Sequence, residues 1–174
     1  MTLIARLAAR FAEIEDDQNA LDAVAGDGDH GATMLRGLKA ADGAADPVAA
    51  FRTAAGGASG SLFAQVLAAL LAHAEGTPLP DALARAAARI AAVGQAKPGD
   101  RTMLDALIPA SLAPDAETAA KAARAGAEAT RSMPARRGRA KHVEGAGLGH
   151  VDAGAQSVAE MLAVLSGAKT EQQA

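Results

Sequence analysis

An all-α fold is what this chain of 174 residues predicts. Three observations carry the prediction. Apolar residues recur at three- and four-residue spacing along nearly the whole length. No stretch alternates with period two over a useful length, and β-branched residues are sparse. Alanine dominates while aromatics make up 2%, so the core must come from Leu, Ile, Val, Ala and Met, which suits closely packed helices.

The elements follow in order. Leu3, Leu7, Phe11 and Ile14 mark a first helix. A second starts at about His30, carries Met34, Leu35 and Leu38, and ends near Gly43. Phe63, Leu67, Leu70 and Leu71 mark a third, running on to Gly76. Leu79, Leu83, Ile90 and Val93 follow, entered through Pro80 and Asp81. Met103, Leu104, Leu107 and Ile108 come next, then an Ala-rich helix over 115–131 and a last helix over 152–165. The expected total is seven or eight helices in a single domain spanning 1–174, with AKTEQQA (168–174) as a flexible tail.

Composition excludes several classes of function. A net charge of −3 carries no nucleic-acid signature. With no Cys there is no disulfide framework and no thiol chemistry. Arg6 and Arg10 interrupt the opening stretch, which does not read as a signal peptide. LFAQVLAALLA (62–72) is too short to span a bilayer. A cytoplasmic location is the expectation, with no membrane partner.

The chemistry is concentrated in LDAVAGDGDHG, which places Asp22, Asp27 and Asp29 in one short stretch. Three carboxylates this close repel each other unless a cation sits among them. Gly26, Gly28 and Gly31 allow the tight turns that let them converge. Hard oxygen ligands select Mg²⁺ or Ca²⁺. The order D-x4-D-x-D is not that of an EF-hand. The helix starting at His30 points its free N–H groups at the same spot, and a helix N-terminus attracts anions. Together these suggest a metal–nucleotide site. A solvated acidic turn capping a helix is the competing reading.

Four connections are rich in Gly: 26–31, 56–60, 94–99 and 145–149. Ordinary helix connections need one Gly at most, as a C-cap. In an up-and-down bundle alternate loops share an end, so these could form one phosphate-binding rim. GGASGSLF (56–63) opens a helix and offers N–H groups and the Ser59 hydroxyl, but it has no Lys and is not a Walker A loop; a close helix–helix contact is the alternative. In KPGDRTMLDAL (97–107) Asp100 reads as the N-cap of the following helix. Met103 could flank a purine or simply fill the core. ARRGRAKHVEGAGLGHVDAGAQS (135–157) is basic at first, with Arg136, Arg137, Arg139 and Lys141 suited to phosphates or to a solvated loop, and then Gly-rich. Asp152 reads as the N-cap of the final helix.

In this order, GDGDHG, GGASG, KPGDRTM and GRA-x(9)-GH-x-D-x-GA resemble the nucleotide-binding domain of dihydroxyacetone kinases, either the small L subunit or the C-terminal domain of the fused enzymes. The resemblance runs from about Leu21 to Ser157. It implies an eight-helix antiparallel barrel with the nucleotide at one end. It also implies that Asp22, Asp27 and Asp29 hold two Mg²⁺ ions on the phosphates of ADP or ATP. His30, Gly31, Ala32 and Thr33 would line the nucleotide, and Ala58, Ser59 and Arg139 would meet phosphate. Gly94 and Met103 would border the adenine, and Asp152, Ala153 and Gly154 would close the site.

In that family the hydroxyketone is held by a separate K subunit, as a covalent adduct with a histidine. The implied role is therefore phosphoryl donor to a K-type partner. The nucleotide would be exchangeable ATP, or bound ADP recharged by a phosphohistidine protein of the sugar phosphotransferase system. A homodimer is also compatible. The family pattern GRASYLGERS-x-GH-x-DPGA reads here GRAKHVEGAGLGHVDAGA, without the Ser-Tyr-Leu and Glu-Arg-Ser elements and with Ala153 in place of Pro. Since related proteins phosphorylate other ketoses or tetroses, the substrate stays open. The competing function is a non-catalytic nucleotide-sensing regulatory module.

Overall fold

The computed structural model describes residues 1–137, 145 and 147–167. Nine α-helices and no strand occur among them. They are α1 (Leu3–Glu13), α2 (Glu15–Ala23), α3 (His30–Ala41), α4 (Pro47–Ala55), α5 (Gly57–Ala74), α6 (Leu79–Gly94), α7 (Leu104–Ser111), α8 (Ala116–Ala129) and α9 (Ala153–Ser166), with a 3₁₀ turn at Thr130–Ser132. The all-α expectation is met. The expected 168–174 tail lies outside the described residues.

Two helices go beyond those marked by apolar spacing. The first amphipathic run breaks at Ile14, and a separate α2 starts there with Glu15, Asp16 and Asp17 in its first turn, where carboxylates favour the helix dipole. Only Gln18 of α2 is buried, so its sequence shows no apolar stripe. The other is α4. Its Asp46 side chain accepts from Ala49 N at 2.9 Å, and Pro47 occupies the first helical position.

Successive helices pack on one another from α2 through to α9, and α1 packs on α3. α9 then returns against α1 and α2, closing the circuit. The core inside it is aliphatic with three phenylalanines, Phe11, Phe51 and Phe63; Leu7, Phe11, Met34, Leu38, Phe51, Leu67, Leu70, Leu83, Leu104 and Met161 are all fully buried. Burying each such side chain favours folding by about 1.5–3 kcal/mol before entropy is counted. Alanines 119, 123 and 127 of α8 are fully buried too, which lets α8 lie close to α7 and α9.

α5 outruns the 62–72 segment at both ends. By length and composition alone its 18 residues could cross a membrane. Its Phe63, Val66, Leu67 and Leu70 are instead buried against α4 and α6, and it serves as a core helix.

Candidate functional site: an acidic cluster at the mouth of a cavity

Asp22 stands in the last turn of α2, and the chain behind it folds back over its side chain. Asp22 Oδ2 accepts from Gly28 N at 2.8 Å and from Asp29 N at 3.2 Å. Gly28 has φ 76°, and a Cβ on Gly26 would fall 2.3 Å from Asp22 Oδ1, so this wrap requires glycine at both places. The wrap brings one oxygen each from Asp22, Asp27 and Asp29 within 4.8 Å of one another. Asp27 and Asp29 are exposed and Asp22 is half-buried. An oxygen-only donor set that opens to solvent suits a hard divalent cation that keeps part of its water shell.

Beside this cluster lies a cavity of about 450 Å³. Three helices begin at its wall. His30 is the first residue of α3, Ala58 and Ser59 belong to the first turn of α5, and Ala153 is the first residue of α9; all four line the cavity. Helix N-termini present unpaired N–H groups and a positive dipole end, the arrangement that receives phosphate. Gly94, Met103, Asp152 and Gly154 complete the wall together with Phe63 and Ile90.

Several contacts fix these parts. The His30 ring is buried, with Nε2 2.8 Å from Ser157 Oγ, and Ser157 donates to Gln18 Oε1 at 3.0 Å. Phe63 lies against it with ring centres 5.4 Å apart. Burial pushes the His30 imidazole below its ordinary pKa, against the opposing pull of Asp22 and Asp29. Asn19 Oδ1 accepts from Ala32 N at 3.2 Å and ties α2 to the first turn of α3. Arg36 donates to Ala54 O and Ala55 O at 2.8 and 3.2 Å, capping α4 where the chain turns into α5.

The 97–105 segment folds differently from the expectation. Asp100 does not cap the next helix: it is buried and accepts from Lys97 N at 3.0 Å, with Arg137 at 3.3 Å. Asp105 does the holding instead, accepting from Gly99 N at 2.6 Å and Thr102 N at 2.8 Å, and α7 begins only at Leu104. A carboxylate in the first turn of the helix can reach back to loop N–H groups that a capping residue at position 100 cannot face. Asp152 does cap α9, its Oδ2 accepting from Ala155 N at 2.9 Å. Its carboxyl is pushed up to about 6 by burial, opposed by the Ala155 N–H and the Arg101 cation and reinforced by Asp105.

Of the residues singled out in the sequence, Asp22, His30, Ala58, Ser59, Gly94, Met103, Asp152, Ala153 and Gly154 line the one cavity. Asp27 and Asp29 join Asp22 in the acidic cluster. Gly31, Ala32 and Thr33 sit in the first turn of α3 but do not line the cavity; at Gly31 a Cβ would meet Glu15 O at 2.2 Å, so this glycine lets α2 and α3 touch. Arg139 and Lys141 lie outside the described residues. Of the Gly-rich connections, 26–31, 56–60 and 94–99 each contribute wall residues, while Gly147 in 145–149 lies behind the wall against Arg101. Arg101 and Arg137 also line the cavity. The sequence places Arg101 only near the start of the helix that follows KPGDRTM and assigns it no role in the site.

The family model described as the DAK2 domain matches residues 24–167, and the chain belongs to the DAK2 domain family. It is 35% identical to the L-erythrulose kinase of Pectobacterium atrosepticum, over 84% of this chain and 30% of that protein. It is 36% identical to the triokinase/FMN cyclase of Rattus norvegicus, over 91% of this chain and 33% of that protein. The structure superposes on the dihydroxyacetone kinase from C. freundii in complex with AMP-PNP and Mg²⁺ with a TM-score of 0.72 at 29% identity, covering 96% of this chain and 33% of that one. The chain thus spans about a third of the length of these relatives.

Proposed function

We propose that this domain binds ADP or ATP with Mg²⁺ and acts as the phosphoryl-donor part of a ketose kinase. One observation carries the reading: three carboxylates converge at the mouth of a cavity where α3, α5 and α9 all begin. The structural relative in complex with AMP-PNP and Mg²⁺ supports it.

In this reading Asp22, Asp27 and Asp29 hold two Mg²⁺ ions. Ala58 and Ser59, with the N–H groups that open α5, hold phosphate, and Arg139 adds a cation there. His30 and the first turn of α3 (Gly31, Ala32, Thr33) lie alongside. Gly94 and Met103 flank the adenine, and Asp152, Ala153 and Gly154 close the site. Bound Mg²⁺ would supply neutralisation of charge on the phosphates during in-line transfer. The domain's residues position the donor and need provide no nucleophile, because the acceptor oxygen belongs to the substrate. That substrate is a small hydroxyketone held on a K-type domain or subunit, a ketotriose or ketotetrose in line with the names of the relatives. The donor is exchangeable ATP, or bound ADP recharged by a phosphohistidine protein. An up-and-down helical barrel in the cytoplasm is the setting this supposes.

The test is reconstitution. Product formation from dihydroxyacetone and from erythrulose is followed with this chain alone and with a K-type partner, each with ATP or with a phosphohistidine carrier. Transfer is expected only for the pair. Rapid turnover by the chain alone would place the ketose site here and sink the two-part reading.

A further inference from the structure

We propose that Arg101 is a positioning residue of the nucleotide site, a latch that holds residues 147–152 and the Asp152 cap against the cavity; this rests on the nucleotide reading above. Arg101 has φ 60°, and only it and Gln95 adopt positive φ among the described non-glycine residues. That region is unfavourable for a residue with a Cβ and persists only where the surroundings over-determine it. Here the turn is fixed from both sides, by Asp100 on Lys97 N and by Asp105 on Gly99 N and Thr102 N. The backbone therefore aims the arginine inward, and its side chain is 3% exposed.

The guanidinium reaches one segment. Nη2 donates to Gly147 O and to His150 O, each at 3.1 Å, and Nη1 faces Asp152 Oδ1 at 3.7 Å. Nε has no hydrogen-bond partner among the described residues. A Cβ on Gly147 would fall 2.1 Å from Arg101 Cζ, so glycine and guanidinium fill the same space from opposite sides. An arginine buried this way, with its carboxylate at 3.7 Å and Nε unpartnered, is a poor stabiliser of the fold. What it achieves is connection. The far side of the segment is already held on the turn after α8, through Gly149 N on Arg131 O at 2.8 Å and Asp152 N on Thr130 Oγ1 at 2.8 Å. Arg101 ties the near side to the loop that carries Met103. The two walls then meet, a Cβ on Gly154 lying 3.6 Å from Met103 Cβ. Lysine, with a single ammonium, cannot reproduce this planar fork.

The experiment uses the full chain with Arg101→Asn, since Asn tolerates positive φ, and with Arg101→Lys. Amide hydrogen exchange is measured without nucleotide, and Mg-ADP affinity by calorimetry. The expected result for R101N is a folded protein whose amides at Gly149, His150 and Asp152 exchange about tenfold faster or more, with Mg-ADP bound about tenfold more weakly. R101K is expected to keep the fast exchange and recover part of the affinity. Unchanged exchange over 147–152 in either folded variant would overturn the latch. Faster exchange with unaltered Mg-ADP affinity would overturn its positioning role, and so would loss of folding in both variants. A wild type that binds no Mg-ADP would remove the nucleotide reading itself, and that is seen before any variant is compared.

Discussion

His30 Nε2 lies 2.8 Å from Ser157 Oγ, joining the first residue of α3 to the second turn of α9 in the buried interior. Ser157 in turn donates its hydroxyl hydrogen bond to Gln18 Oε1 of α2, so three helices meet in one polar chain behind the cavity. Replacing Ser157 with Ala would leave both His30 and Gln18 with a buried, unmatched polar atom, at a cost of about 1–3 kcal/mol. The expected outcome for S157A is a lower melting temperature and weaker Mg-ADP binding, because the His30 ring is no longer held at the cavity wall. A melt and a titration both matching wild type would show that the chain of contacts holds nothing in place.

The acidic cluster gives the second prediction. Asp27→Ala removes one of three converging carboxylates, and calorimetry with and without Mg²⁺ should show metal-dependent ADP binding in wild type and a marked loss in D27A. In the same samples, wild type should be stabilised by about 2.7 kcal/mol when Mg-ADP stands at 100 times its Kd. Equal affinity in all four titrations, or a melt that ignores saturating Mg-ADP, would rule out a metal–nucleotide role for these aspartates.

How much of this was legible in the sequence depends on distance along the chain. Asp22, Asp27 and Asp29 could be grouped at once because a single short loop carries them. α1, α3, α5, α6 and α7 showed through their apolar spacing, α8 through its alanines, and α9 through its Asp152 cap. α2 did not, since EDDQNALDA buries only Gln18 and owes its start to three acidic residues rather than to a stripe. α4 opens with Asp46 and Pro47, but its nine residues carry too few large apolar side chains to mark a helix by spacing. That α3, α5 and α9 begin at one cavity is a property of packing between residues as far apart as His30 and Ala153, anticipated only by the shared-end argument for the Gly-rich loops and by the resemblance to dihydroxyacetone kinases. Arg101 stands in the KPGDRTM motif, yet its role could not be read there, because that role lies in a backbone angle and in carbonyls some 46 to 49 residues away.

Gly126 supplies the third prediction. It sits in α8 where a Cβ would fall 2.1 Å from Asp105 O, a backbone atom of α7 that cannot swing aside. Gly126→Ala gains about 1 kcal/mol in helix propensity but forces α7 and α8 apart, an overpacking cost of about 1–3 kcal/mol or more. The net expectation is destabilisation in denaturant melts. Asp105 also holds Gly99 N and Thr102 N, so the 99–102 turn should exchange its amides faster in G126A. A variant as stable as wild type would mean that α7 and α8 do not pack this closely.

Asp152 ties stability to pH in a direction opposite to that of most carboxylates. Its carboxyl is raised from an ordinary 3.8 to about 6. Between those values the folded state holds a proton that the unfolded chain has released, so stability must fall as pH rises through this window. The full separation corresponds to at most about 3 kcal/mol. Asp152→Asn removes the titration while keeping a competent cap for α9. The informative quantity is the difference in melting temperature between wild type and D152N without nucleotide, which cancels the other carboxylates. Wild type should lose ground steadily to D152N from pH 4 to pH 6 and then level off. A difference that stays flat over that range would show that the Asp152 carboxylate is not destabilised by its burial, and that Arg101 and the α9 N-terminus compensate its charge in full.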